Sequence, residues 1–309
     1  MIDYDDLTTP VNETDKIFGG LKVDFIKKAK IYIKEVYIPL SNVKEINIRY
    51  LDSNDYVNVY RKGNDSYVIE FGNMLFNSIY NLSKCLSCNV SEYFEVNNEN
   101  SVRDFCFDYI SWLILNHELS HIALGHVDYI ISKGDVGYIE ISGSNFPILH
   151  LSDNLSESKD IWRAFETEAD SIAFSSSLAA FKYINGLEEW SRWDLKEILV
   201  FHGIMNCSVF YLFNVLTNNN DDFKHLSPSV RQYVTLPCLD ELAKQKGFQE
   251  KEFTDVVTTS SLKALTEIFG LGFYPKDMMK AFLWMNKMDE ILKKSEISQF
   301  RRYQKEHKK

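Results

Sequence analysis

Two histidines and a glutamate in the run His117-Glu118-Leu119-Ser120-His121 are the residues whose types and spacing spell out a reaction. On a helix turning about 100° per residue, positions four apart fall roughly 40° out of line. His117 and His121 then project from one face, one turn apart, and can share a Zn²⁺ at about 2.0–2.1 Å. Glu118 lies about 100° round from His117, within reach of a metal-bound water without being a ligand itself. Zinc draws the pKa of that water toward about 7, and Glu118 takes its proton as general base. The expected chemistry is hydrolysis.

In a chain with seven histidines among 309 residues, chance matches to this pattern number on the order of 0.01. The pattern must also lie on a helix. Over 102–131 apolar residues recur mostly three and four apart, from Phe105, Tyr109 and Trp112 through Leu115, Leu119 and Ile122 to Val127 and Ile130, without a proline. Ser101 followed by Asp104 reads as a cap and a first-turn acid. The plainer alternative is a buried helix whose histidines are only hydrogen-bonded core residues.

Two imidazoles leave zinc short of ligands, so a third is expected downstream. A second helix, about 159–184, carries Phe165-Glu166-Thr167-Glu168-Ala169-Asp170. Glu166 and Asp170 share a face. Glu166 is expected to bind the metal, and Asp170 to accept the free ring N–H of a ligating histidine. Glu168 is the rival ligand, on another face if Asp170 is the orienter. A solvated acidic face competes with both readings in a chain of net charge −10. On a continuous helix His126 points about 140° away from His121, which makes it a structural residue near the helix end or a group behind the ligands.

Together His117, Glu118, His121, Glu166 and Asp170 resemble the gluzincin branch of zinc metallopeptidases, HExxH followed by ExxxD. The Glu-x-x-Ala-Asp form at 166–170 is similar to the family of the CAAX prenyl proteases and the heat-shock protease HtpX. In that family a His- and Pro-containing segment ending in Arg follows the glutamate helix. His225-Leu226-Ser227-Pro228-Ser229-Val230-Arg231 resembles it, with Leu226 where the family usually has Pro. The resemblance implies that His225 and Arg231 line the cleft, polarising the scissile carbonyl or fixing the wall, with His225 as a catalytic group and Arg231, like Asp170, behind the metal ligands. A metzincin would need a histidine six residues after His121, and here it stands at five. Over about 100–235 the chain also resembles the phage-exclusion (Lit) peptidases. That likeness implies a latent cytosolic zinc protease of phage defence, with elongation factor Tu as substrate and a phage peptide as activator. A non-catalytic zinc-containing sensor or binding module with the same fold is the alternative, although an intact Glu118 favours an enzyme.

The elements that must position these residues point to an α+β, mainly helical fold. A zincin-like core is expected, with a small antiparallel or mixed sheet over the HExxH helix and a helical C-terminal half. Helices are expected at 21–37 and 73–86, with strands at 45–52, 56–62 and 66–71 and a turn at Gly63-Asn64-Asp65. One of these strands, or 136–142, is expected to be a sheet edge that pairs with an extended substrate. Further helices are expected at 159–184, 188–216, 228–246, 252–268 and 276–293. Breaks fall at Asn185-Gly186, Asn218–Asp222 and Gly270–Pro275. Residues 1–100 form an N-terminal α/β portion, and 101–309 the zinc-site helices and helical half, or the whole is one catalytic domain.

With 45% hydrophobic residues the chain can bury a substantial core. The apolar stretch 198–216 is long enough for a membrane span, but His202, Asn206, Ser208 and Asn214 favour a buried core helix. An acidic N-terminus and five cysteines, among them a lone Cys85-x-x-Cys88, suit a reducing cytosol. The negative net charge argues against nucleic-acid binding, and the basic end 301–309 reads as solvated.

Overall fold

The computed structural model describes residues 4–12, 15–52, 57–133, 138–141, 155–177, 193–216, 225–245, 251–270, 272 and 274–303. After a short helix α1 (Tyr4–Thr8), α2 (Lys16–Tyr32) starts at Asp15. The Asp15 carboxylate accepts from the amides of Ile17 and Phe18 at 2.9 and 3.1 Å, satisfying donors that have no partner within the helix. A π-helical turn (Ile33–Tyr37) and a 3₁₀ turn containing Pro39 finish this helix. It therefore begins one turn earlier than the sequence pattern alone suggests.

Four strands follow: β1 (Glu45–Leu51), β2 (Val57–Gly63), β3 (Ser66–Gly72) and β4 (Tyr138–Ile141). Their order is β1-β3-β2-β4, with β1 parallel to β3 and the β2 pairings antiparallel. The sheet is mixed. Asp65 takes the left-handed turn position with φ 57°, one that Asp tolerates better than most residues. The expected strand at 136–142 is seen as β4 at one sheet edge; its outer residues lie outside the described ones.

Helix α3 (Asn73–Tyr93) leads to α4 (Glu99–Ala123), the helix that carries the motif. Asn98 caps α4 by accepting from the Ser101 amide at 3.2 Å, so the cap lies three residues before the expected Ser101. Every residue of α4 from Phe105 to Ile122 is buried. Over this stretch the helix has no solvent-exposed face. It sits between the sheet side and α6 (Leu155–Ser177), with α3 and α7 (Leu195–Leu216) also against it. Trp112 at its middle meets Phe25 and Tyr32 edge-on, with centroids 5.9 and 5.2 Å apart, contacts worth about 0.5–1.5 kcal/mol each beyond burial.

The motif helix does not continue to 131. Gly125 adopts φ 79°, and a separate helix α5 (His126–Ser132) starts after it. Glycine stops a helix here because only it enters the left-handed region without a Cβ penalty. Helix α7 is the one helix among the described residues long and apolar enough to cross a membrane, and 83% of its most apolar window is buried inside the protein. It packs on α4, α8 (Pro228–Gln245) and α9 (Lys251–Phe269). The expected breaks at 185–186 and 218–222 lie outside the described residues, as does the basic end beyond 303.

Helix α10 (Pro275–Lys294) lies on α6 and α8, where the Trp284 indole N–H donates to Thr167 Oγ1 at 3.0 Å. The chain then crosses back over the Gly125 turn as a strap, residues 297–303. The Arg302 amide donates to the Ala123 carbonyl at 2.7 Å, and the Asn42 amide donates to the Arg302 carbonyl at 2.6 Å. The Arg302 side chain meets Asp128 at 2.6 Å, and Asp128 also receives Tyr67 Oη at 2.7 Å and Arg61 at 3.0 Å. One buried carboxylate thus ties the sheet, α5 and the strap together. All five cysteines are free thiols.

Candidate metal centre

Helix α4 presents His117 and His121 one turn apart, as a 3.6-residue period requires. Their Nε2 atoms converge to 3.0 Å. Helix α6 brings Glu166 opposite them, Oε2 at 3.3 Å from His117 Nε2 and Oε1 at 3.7 Å from His121 Nε2. All three residues are buried, and their ligand-type atoms lie within 4.8 Å of one another. Donors held tetrahedrally at about 2.0–2.1 Å stand roughly 3.3 Å apart; the two imidazole nitrogens stand 3.0 Å apart, and each has a different oxygen of Glu166 at 3.3 or 3.7 Å. The donor set, two imidazoles and a carboxylate, suits a divalent cation of the zinc type.

The groups behind these three are also in place. Asp170 Oδ1 lies 3.0 Å from His117 Nδ1. Arg231, from α8, grips Asp170 with Nε and Nη2 at 2.8 and 2.7 Å. Its guanidinium also stands over the Phe210 ring at 4.3 Å. Arg231 is buried, and the two donors nearest Asp170 are committed there. It supports the carboxylate that faces His117 and does not line an open cleft. His225 Nε2 lies 3.0 Å from Glu166 Oε2, inside the cluster. Glu168 turns away from it, toward His126 at 3.3 Å.

Glu118 is 1% exposed, and its Oε1 has no hydrogen-bond partner among the described residues. Such an atom normally costs about 1–3 kcal/mol and calls for an explanation. Burial pushes Glu118 up to about 8; His117 and His225 oppose the shift and Glu166 adds to it. Burial alone would lower His117, yet the carboxylates of Asp170 and Glu166 raise it to about 10. His121 is held well below its ordinary value by burial. Burial works against ionised Glu166, but His225, His121 and His117 keep it well below the usual carboxylate range.

His126 was read from the sequence as lying on a different face from His121. The Gly125 turn changes that: His126 Nδ1 comes to 2.9 Å from His121 Nδ1. The signal was local and available, since glycine after a helical run marks its end. The partners of His126 had no such signal, because Glu168 and Arg301 are 133 residues apart in sequence.

Compared with protein-family models, with curated proteins and with solved structures, the chain finds no match.

Proposed function

We propose that this chain is a zinc-dependent endopeptidase. The observation that carries the reading is the convergence of ligand atoms of His117, His121 and Glu166 to within 4.8 Å of one another, beside a buried carboxyl with an oxygen unpartnered among the described residues. Those three residues would hold the ion. Zinc supplies Lewis acidity there, activating water and polarising a carbonyl oxygen. Glu118 takes a proton from the attacking water and returns it to the departing amine nitrogen as the C–N bond breaks. Asp170, itself braced by Arg231, holds His117 with its Nδ1 protonated and its Nε2 turned inward. His225 faces the Glu166 carboxylate at 3.0 Å, where it orients the ligand and stands ready to polarise the scissile carbonyl.

The burial of His117, Glu118, His121, Glu166, Asp170 and Arg231 supports a latent enzyme whose site must open to admit a peptide. By resemblance, the substrate is a cytosolic protein such as a translation factor, and the opening signal is a peptide or protein. A zinc-containing sensor without turnover shares the three ligands, but it has no use for a buried carboxyl at 118 whose Oε1 has no partner among the described residues. Glu118→Gln separates the two. The variant should keep a wild-type zinc-to-protein ratio and lose peptide cleavage by about 10²–10⁴-fold. Cleavage at the wild-type rate in this variant rules the mechanism out.

A further inference from the structure

Among the described residues, His121 Nδ1 has neither of the usual partners of a metal-binding histidine, a carboxylate or a backbone carbonyl. It faces a second imidazole, His126 Nδ1 at 2.9 Å. Two neutral rings in contact through Nδ1 can share one hydrogen bond in either direction, so something else must choose. The far side of His126 makes the choice. Its Nε2 lies 3.3 Å from Glu168 Oε2, and Glu168 Oε1 lies 2.5 Å from Arg301 Nη2. An ionised carboxylate only accepts, so Nε2 of His126 carries the proton and Nδ1 is left as an acceptor. His121 must then donate from Nδ1, which frees its Nε2 lone pair to point at Glu166 and His117. The opposite arrangement would set a bare nitrogen against a carboxylate and a proton where a cation belongs.

We propose that His126, Glu168 and Arg301 form a relay that sets the tautomer of His121, so that the C-terminal strap helps determine how tightly the metal is held. This rests on the reading of His117, His121 and Glu166 as ligands. Each link is held in place. Gly125 sends the chain round so that His126 returns beneath His121, and its backbone touches the strap: a Cβ at Gly125 would meet the Phe300 carbonyl oxygen at 2.2 Å. His126 is fully buried and lies flat on Phe165, with centroids 4.3 Å apart and planes 9° from parallel. Arg301 is fixed beside Arg302, whose amide and side chain anchor the strap to α4 and α5. These are positioning residues; none of them offers an atom to the metal.

The test measures zinc affinity by competition with a chromogenic chelator, together with the apo-protein melting temperature. Histidine ¹⁵N spectra of the metal-free protein read the tautomer directly. In the wild type, His121 should show a protonated Nδ1 and a bare Nε2. Glu168→Gln and Arg301→Gln should weaken zinc binding about 10–100-fold and give mixed His121 tautomers. His126→Leu should weaken it at least as much. His126→Asn, which keeps an acceptor near the Nδ1 position, should recover part of the loss. Arg301 is partly exposed, so Arg301→Gln remains informative even if His126→Leu does not fold. Unchanged zinc affinity and an unchanged His121 tautomer in Glu168→Gln and Arg301→Gln overturn the relay while leaving the metal site standing. A wild-type protein that binds no zinc overturns the metal site itself, and the relay with it.

Discussion

Replacing Arg231 by Met removes the guanidinium that grips Asp170 and keeps most of the apolar stem. Asp170 is then left buried with His117 as its remaining close cationic or N–H partner. Burial works against its ionised form, and Arg231 and His117 are what keep its pKa low. Breaking a buried pair of this kind costs about 3–5 kcal/mol. The lost contact over Phe210 falls within that range. Against a total stability of about 5–15 kcal/mol, the loss is large and easily read by urea unfolding. A chelator should be present so that metal binding does not contribute to the measured stability. The double variant Asp170→Leu/Arg231→Met removes both charges and should regain most of the loss, because a matched apolar pair replaces a buried ion pair at little cost. It should still bind zinc about 10–100-fold more weakly, since His117 Nδ1 has lost its acceptor. A loss below about 1 kcal/mol in Arg231→Met refutes the energetic reading, and wild-type zinc affinity in the double variant refutes the role given to Asp170.

Two other consequences concern stability. Burial pushes His202 down to about 3, as it donates to the Phe174 carbonyl at 2.8 Å and meets Tyr109 Oη at 2.6 Å. Above about pH 6.5 it is neutral folded and unfolded, whereas below that pH only the unfolded chain gains the proton, so stability falls with acidity. The contribution should reach about 2 kcal/mol at pH 5, seen as the pH-dependent difference between wild type and His202→Gln in urea unfolding; parallel pH profiles would contradict it. Gly125→Ala combines a positive φ with a clash against the Phe300 backbone, so it should cost about 2 kcal/mol or more and speed proteolysis of the strap. A melting temperature equal to wild type would remove the strap contact from consideration.

The helix pair that bears the site was legible because its information is local. His117, Glu118 and His121 carry their own spacing, and Glu166 and Asp170 repeat the same one-turn logic on α6. Strands β1 to β3 were legible from short runs rich in Val, Ile and Tyr and from the turn at 63–65. The parallel pairing of β1 with β3 was not, since such runs mark strands but do not assign their neighbours. The helix stop at Gly125 was masked by apolar residues that keep a helical period on both sides of it. Glu168 was visible only as a competitor for the metal, because its partners, His126 and Arg301, become neighbours only after the strap has folded across α5. Resemblance places Arg231 behind the ligands beside Asp170 as well as along the cleft, and in the structure it grips the Asp170 carboxylate. Its five donors suit a carboxylate fork, which is a property of the residue type that the sequence did show.

Zinc content combined with X-ray absorption at the metal tests the centre most directly. One zinc per chain, bound by two imidazole nitrogens and a carboxylate oxygen and lost in Glu166→Ala and in His121→Ala, is the expected result. A purified protein that retains no zinc, or one whose metal shell survives both substitutions, contradicts the assignment.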